Sequence, residues 1–158
     1  MYGPGPELAL LLLGGFRALV DAAVVELARR GYEDVRPVHD FALRAIVTGA
    51  ENASELGRRL SVSKQAAAKT LAQLEERGYV TREDDPLDAR RKRVQVTKRG
   101  LAVMREGERV FDELREQWAQ RIGPAKLRTL EKQLAELLGS SRVRLDDTPG
   151  WMARGLDE

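Results

Sequence analysis

Two short runs rich in β-branched residues, 79–84 and 93–97, lie on either side of the turn-forming stretch DPLD. Four consecutive basic residues, at 90–93, follow this turn and lead into the second run. Runs of this length, separated by a proline-containing turn, predict a β-hairpin. The basic residues would then lie at the tip of the hairpin, in contact with solvent. A solvated hairpin with no further role is one interpretation, so the segments that precede and follow it decide what the charge is for.

Two short helices are predicted directly before the hairpin. A capping-box pattern, Asn52 followed by Glu55 three residues later, opens the first helix. Ser63 caps the second helix, over 64–77, and Gly78 ends it. Helix, turn, helix and hairpin follow one another in the order of a winged helix-turn-helix, whose second helix fits the major groove of DNA.

Longer helices are predicted around this core. The Gly/Pro-rich start delays the first helix to Pro6 or Glu7, because neither residue type favours a helix. The predicted long helices run over 7–30, 37–49, 97–123 and 124–138. The fold class that follows is mainly α with one small β-hairpin. Residues 139–158, including Trp151 and Met152, have no periodicity and are predicted to form a mobile tail.

The charge distribution indicates an anionic partner. The chain has 27 Lys and Arg against 25 Asp and Glu, but residues 52–99 contain twelve basic and seven acidic side chains, a net charge of +5. One basic segment in an otherwise mildly acidic body favours a partner that approaches from one side. The absence of cysteine excludes disulfides, thiolate nucleophiles and cysteine zinc sites. No phosphate loop, nucleophile elbow or catalytic carboxylate pair is present, so no enzymatic activity is predicted.

The apolar run LALLLLGGF, at 8–16, is bounded by Glu7 and Arg17. It is shorter than the roughly 20 residues that span a bilayer, and no basic stretch precedes it as in a signal peptide. We therefore expect it to form a buried helix surface in a soluble, cytoplasmic protein that does not bind membranes.

The helix over 64–77 separates into two faces at about 100° per residue. The core side is expected to carry Ala67, Leu71 and Leu74, and the opposite side Gln65, Ala68, Lys69 and Ala72. Glutamine can pair with adenine, lysine can reach guanine or phosphate, and alanine can contact a thymine methyl group. Ser61, Ser63 and Lys64 lie at the positive end of the helix, where phosphate binds readily. An ordinary surface helix is the alternative.

Residues 54–100 strongly resemble the DNA-binding core of MarR-type transcription regulators. The shared motifs are LSVSKQA, LEERGYV, the D-x-R of Asp88 and Arg90, and VTKRG where the family commonly has LT-x-x-G. The D-x-R hairpin followed at a fixed distance by Thr-x-x-Gly is more specific than a helix-turn-helix alone. One departure is the helix sequence KQAAAKT, which is less polar than in many relatives and favours readout of DNA shape over base contacts.

The resemblance implies that the basic hairpin is a wing. Arg90 would insert into the minor groove, Asp88 would orient its guanidinium, and Arg91, Lys92 and Arg93 would hold phosphates or brace the strand. The candidate DNA-binding residues are Ser61, Ser63, Lys64, Gln65, Ala68, Lys69, Asp88, Arg90, Arg91 and Lys92.

The resemblance also implies an obligate two-fold homodimer, with the apolar stretches 8–27 and 127–138 interleaved across the interface. An intrachain bundle is the alternative. Residues 1–158 would then be a single domain, with dimerisation helices at 7–31 and 98–138 around a winged helix-turn-helix lobe at 37–97.

Members of this family often bind small aromatic or phenolic effectors between the dimer helices and the DNA-binding lobe. Phe16, His39, Phe41 and Arg44 are the candidate effector-binding residues, and ordinary core positions are the alternative. His39 lies near two aspartates, but without cysteine or a second histidine the set is too small for a metal site. We expect it to serve at a helix start or in the pocket wall, and we expect no metal or cofactor. The absence of cysteine also sets aside the peroxide sensing of some relatives.

Together these features predict a sequence-specific regulator of transcription that binds double-stranded DNA. A dimeric repressor relieved by an effector is the leading form, and its operator would be an inverted repeat with half-site centres about 10 bp apart. A winged-helix module used for protein contact or nonspecific DNA architecture is the alternative.

Overall fold

The computed structural model describes residues 3–141 of the chain. Within that range the chain forms six α-helices, one two-stranded antiparallel sheet and a 3₁₀ turn. The elements are α1 (Pro4–Arg29), α2 (Pro37–Val47), α3 (Ala53–Leu60), α4 (Lys64–Glu76), β1 (Val80–Asp85), β2 (Asp88–Val96), α5 (Lys98–Ile122), α6 (Pro124–Leu138) and the 3₁₀ turn (Gly139–Ser141). The predicted fold class is confirmed. Residues 142–158 of the predicted tail lie outside the described residues.

Side-chain caps begin α3, α4 and α5, the first two of them as the sequence predicts. Each cap oxygen accepts a hydrogen bond from the backbone N–H three residues later, which satisfies one donor of the first helical turn. The bonds run from Glu55 to Asn52 at 2.9 Å, from Ala66 to Ser63 at 3.0 Å and from Gly100 to Thr97 at 3.0 Å. Local sequence signals therefore set where α3, α4 and α5 begin.

The first helix begins earlier than predicted. It starts at Pro4, with Gly3 as an extended N-cap, rather than at Pro6 or Glu7. Proline suits the first helical position because that residue's missing N–H would have no partner within the helix. The expectation that the Gly/Pro-rich start delays the helix is therefore wrong.

The apolar face of α1 is buried over only part of its length. Val20, Ala23 and Leu27 are buried, whereas Leu8 and residues 10–13 are 45 to 66% exposed. The expectation of a buried surface over the whole apolar run is therefore wrong for the single chain, because the elements packed against α1 cover mainly its C-terminal half.

The expectation that this apolar run is too short to span a membrane is also wrong, since the run is part of a 26-residue helix. The mean hydropathy of its most apolar 18-residue window is 2.0, and among the described residues it is the one helix that could cross a membrane by length and composition. Core helices of soluble proteins have the same properties, so this does not assign α1 to a membrane.

The main core lies between the helix-turn-helix, the base of the hairpin and α5. Its largest fully buried side chains come from α2, α3, α4, the residue before β1, and α5, and are Leu43, Leu56, Leu74, Tyr79 and Val110. Full burial of such a side chain contributes about 1.5–3 kcal/mol. The long helix α5 thus joins the winged core to the N-terminal helix.

An ion-pair cluster joins α1 to α5. Arg30, directly after α1, donates to Glu26 at 3.0 Å, to Glu106 at 2.6 Å and to Glu113. The Arg30 guanidinium lowers the pKa of Glu106 by its hydrogen bond. The cluster fixes the end of α1 against α5.

The hairpin strands are longer than predicted. Val80 pairs with Val96 and Asp84 with Lys92, so the second strand takes in the whole basic run. The Asp85 side chain accepts a hydrogen bond from the N–H of Leu87 at 2.9 Å, which closes the turn. The positive charge therefore extends from the tip along one strand, instead of lying at the tip alone.

Candidate nucleic-acid interface

The turn between α3 and α4 is tight because a glycine allows it. A Cβ on Gly57 would lie 3.0 Å from the backbone oxygen of Val62, so the turn packs directly on the α3 backbone. Ser61 ends α3 in the left-handed conformation, with φ 53°, and its side chain is exposed. This turn presents the N-terminus of α4 to solvent.

The two faces of α4 are as predicted. Ala67, Leu71 and Leu74 are buried, at 0 to 2% exposure. The exposed side chains near the start of the helix are Ser63, Lys64, Gln65, Ala66 and Lys69, and Ala68 is partly exposed. Ala66 was missed by the sequence analysis. The first two turns of this exposed face carry three long polar side chains, Lys64, Gln65 and Lys69, and the exposed carboxylates Glu75 and Glu76 follow in the last turn.

The root of the hairpin is fixed to the start of α5 by the Thr-x-x-Gly motif. Thr97 accepts the N–H of Gly100 and donates its hydroxyl to the carbonyl of Gly78 at 2.6 Å. A Cβ on Gly100 would lie 2.2 Å from the carbonyl oxygen of Tyr79, so no side chain fits there. These contacts explain the motif physically, because both residues hold the wing against α5.

Most basic side chains of the hairpin are braced by carboxylates. Lys92 pairs with Asp84 across the two strands, Arg93 lies 3.8 Å from Glu51, and Arg91 lies 3.9 Å from Asp88. All three basic residues lie on the wing, and each has a nearby carboxylate that partly neutralises its charge.

Arg90 is the exception within the described part of the chain. Its side chain is exposed and makes no ion pair or hydrogen bond there. The family resemblance implied that Asp88 orients the Arg90 guanidinium, but Asp88 makes no bond to that guanidinium in the structure. Its carboxylate instead accepts the backbone N–H of Arg90 at 3.0 Å, which shapes the strand beside the turn. Arg90 therefore projects from a fixed backbone with its guanidinium free.

A crevice of about 420 Å³ lies between α1, α2 and α5. Its walls are mainly apolar, and both aromatic rings predicted for an effector site, Phe16 and Phe41, line it together with Arg44. Phe111 of α5 adds a third ring that the sequence analysis missed. The fourth predicted residue, His39, does not line this crevice, because its ring turns toward α4 instead.

The polar wall of the crevice is an internally paired set of charges. The Arg44 guanidinium donates to Asp40 at 2.7 Å and to Glu108 at 3.0 Å, which bridges α2 to α5. Burial raises the pKa of Asp40, and the hydrogen bond from Arg44 opposes that shift. Arg44 already has two carboxylate partners, so a third anion would have to displace one of them.

The first turn of α2 and the loop before it touch the C-terminal end of α4 in two places that sequence patterns did not indicate. His39 contacts Gln73, with 3.1 Å between Nε2 and Oε1, and Arg77 donates to the carbonyl of Asp34 at 2.7 Å. Among residues 3–141 no group of three or more potential metal ligands is present.

Known proteins share both the sequence of the core and the fold of the chain. Residues 42–91 match the MarR family model. A MepR mutant from S. aureus, solved bound to an oligodeoxyribonucleotide, is 16% identical with a TM-score of 0.60, and the match covers 85% of this chain and 97% of that one. The transcriptional regulator Tm0710 from Thermotoga maritima is 23% identical with a TM-score of 0.62, at 85% and 94% coverage. The reduced form of MarR from E. coli is 21% identical with a TM-score of 0.64, at 87% and 98% coverage.

The helix-turn-helix, the hairpin and the long flanking helices define a winged helix-turn-helix protein. The MarR family model matches residues 42–91, which contain most of the predicted motifs, and the solved structures share the fold over most of the chain. The chain therefore has the fold of transcription regulators of the MarR family.

Proposed function

We propose that this chain is a dimeric, sequence-specific regulator of transcription that binds double-stranded DNA, and that it acts as a repressor relieved by a small-molecule effector. The observation that carries the proposal is one exposed polar helix face beside a wing with a free guanidinium at Arg90. An α-helix fits the major groove, and arginine is favoured in a narrow minor groove. The MepR mutant that shares the fold was solved with an oligodeoxyribonucleotide, which supports this choice of partner.

The candidate residues divide by role. Ser61, Ser63 and Lys64 stand at the N-terminus of α4, where the helix dipole and free N–H groups favour phosphate. Gln65 and Lys69 are the groups on the exposed face long enough to reach base edges, and Ala68 offers a methyl contact. With so few base-reading groups, we infer that sequence preference rests largely on groove shape.

On the wing, we assign the minor-groove contact to Arg90. Asp88 shapes the strand that carries it, and Arg91 and Lys92 serve phosphates while their carboxylate partners hold them in place. Phosphate contacts of this kind add affinity and a dependence on salt, but no sequence preference.

Two exposed apolar surfaces support a homodimer. Leu8 and residues 10–13 of α1, and Leu137 and Leu138 of α6, are exposed in the single chain. A contiguous apolar surface of this kind marks an interaction site, since each leucine gains about 1.5–3 kcal/mol when fully buried. We infer that 7–31 and 98–138 form the dimerisation helices around the DNA-binding lobe at 37–97. A membrane-bound α1 would instead require detergent for solubility.

The crevice supports control by an effector. Its apolar walls and three aromatic rings suit a small aromatic or phenolic compound, and its position between the long helices and α2 would let an occupant change how the lobe sits on the dimer. The effect can be no larger than the effector's difference in affinity for the DNA-binding and non-binding states.

Footprinting on the gene's own upstream region, with random duplex as competitor, tests the proposal. We expect two protected half-sites in inverted repeat, with centres about 10 bp apart. Equal affinity for both duplexes would favour the nonspecific module, and protection of a direct repeat or of one half-site would contradict the two-fold dimer. Loss of the footprint on adding a small aromatic acid or phenol would support control by an effector.

A further inference from the structure

His39 occupies the third position of α2, and its Nδ1 accepts a hydrogen bond from the N–H of Arg36 at 2.9 Å. Glutamate or glutamine usually serves as the acceptor at this position of a capping box. Because Nδ1 accepts a hydrogen bond, it carries no proton, and the neutral ring must hold its proton on Nε2. The tautomer is thus set by the first turn of α2.

The other ring nitrogen, Nε2, faces α4. His39 Nε2 lies 3.1 Å from Oε1 of Gln73 on α4, so the N–H donates to the amide oxygen. Gln73 is one helical turn beyond Lys69, on the same side of α4. The imidazole is only 3% exposed. One buried ring therefore caps α2 and holds the helix that we propose reads DNA.

Charged groups surround the contact between His39 and Gln73. Asp34, with φ 50°, accepts from Arg36 Nε at 2.8 Å, and its backbone carbonyl accepts from Arg77 at the end of α4. Asp40 on α2 is paired with Arg44. Both carboxylates have arginine partners, and Asp34 also interacts electrostatically with His39. The Asp34–Arg77 bond is a second tie to α4 that does not depend on the histidine.

We propose that His39 is a positioning residue for α4, and that binding of a proton to its Nδ1 weakens DNA binding. The proton comes from solvent and converts the imidazole to an imidazolium with an N–H on both nitrogens. Two donors, Nδ1–H and the N–H of Arg36, would then point at each other. Either the ring leaves this position, which breaks the bond from Nε2 to Gln73, or the first turn of α2, which carries the ring, opens and moves the ring relative to α4.

The expected direction is the opposite of the general electrostatic effect. Added positive charge ordinarily strengthens attraction to DNA phosphates. His39 is the one histidine of the chain, and histidine is the side chain whose ordinary pKa falls between pH 5 and 8. A loss of affinity on mild acidification that disappears in His39→Gln therefore points to this ring. The inference rests on the proposed DNA binding.

The test is fluorescence anisotropy with the full chain and a labelled duplex from the gene's upstream region, at constant ionic strength. Between about pH 7.5 and about pH 5 we expect the wild-type affinity to fall by about twofold or more. His39→Gln keeps an acceptor for the N–H of Arg36 and cannot titrate, so its affinity should not fall. Lys132→Ala, a charge change on the exposed face of α6, should keep the wild-type profile.

A flat or rising wild-type affinity on acidification would overturn the inference, as would an equal fall in His39→Gln. Nitrogen-15 NMR of the single histidine ring gives a second measurement that needs no variant. We expect the Nε2–H tautomer at neutral pH, and an Nδ1–H tautomer would overturn the inference. Absence of DNA binding at every pH would defeat the proposed function as well, whereas pH-independent binding would defeat the role of His39 alone.

Discussion

Replacement of Arg90 by alanine is the most direct perturbation of the proposed interface. The Arg90 side chain is exposed and has no partner in the described part of the chain, so its removal should leave the free energy of unfolding within about 0.5 kcal/mol of wild type. The lost groove contact should weaken DNA binding by about 1–3 kcal/mol per wing, which is roughly 5- to 150-fold. Two wings on a dimer would contribute separately.

Titration of the upstream duplex by anisotropy over a range of salt concentrations measures both the affinity and the phosphate contacts. Each arginine that leaves a phosphate reduces the salt slope by about one, whereas a pure base contact leaves the slope unchanged. Asp88→Ala should have a smaller effect than Arg90→Ala, since Asp88 bonds the backbone rather than the guanidinium. Unchanged binding by Arg90→Ala, together with a loss in Lys132→Ala, would show that the wing assignment is wrong.

Three further changes test the fold around the site. Gly100→Ala should lower the melting temperature, because its Cβ would meet the Tyr79 carbonyl at 2.2 Å and overpacking costs about 1–3 kcal/mol; an unchanged melting temperature would contradict that contact. If the chain is the proposed dimer, Leu11→Glu should convert it to a monomer in light scattering without detergent, because Leu11 is 66% exposed in the single chain. The pKa of Glu106 is below its ordinary value of 4.5 because Arg30 donates to it, so its stabilising effect is lost as the pH falls. Wild type and Glu106→Gln should therefore differ in melting temperature at neutral pH and converge in acid.

Much of the fold could be predicted from the sequence because its signals are local. The side chains of Asn52, Ser63 and Thr97 each accept a hydrogen bond from an N–H three residues later. Because both partners are so close in the sequence, such a helix start can be recognised without the tertiary structure. The division of α4 into two faces follows from helix geometry alone. Where a prediction depended on what covers a surface, as for the apolar start of α1, it was wrong for the single chain.

The sequence by itself determined the order of the elements, the starts of α3, α4 and α5, and the basic hairpin that carries Arg90. Only the tertiary structure decided which charges are already neutralised, because Arg93 pairs with Glu51 and Arg44 with Glu108 from separate elements. It also placed His39 against Gln73, 34 residues away, instead of in the crevice. The helical periodicity of a sequence predicts which side of a helix faces the core. Which residues that side contacts depends on how distant segments pack. For that reason the exposed side of α4 could be predicted, and the contact between His39 and Gln73 could not.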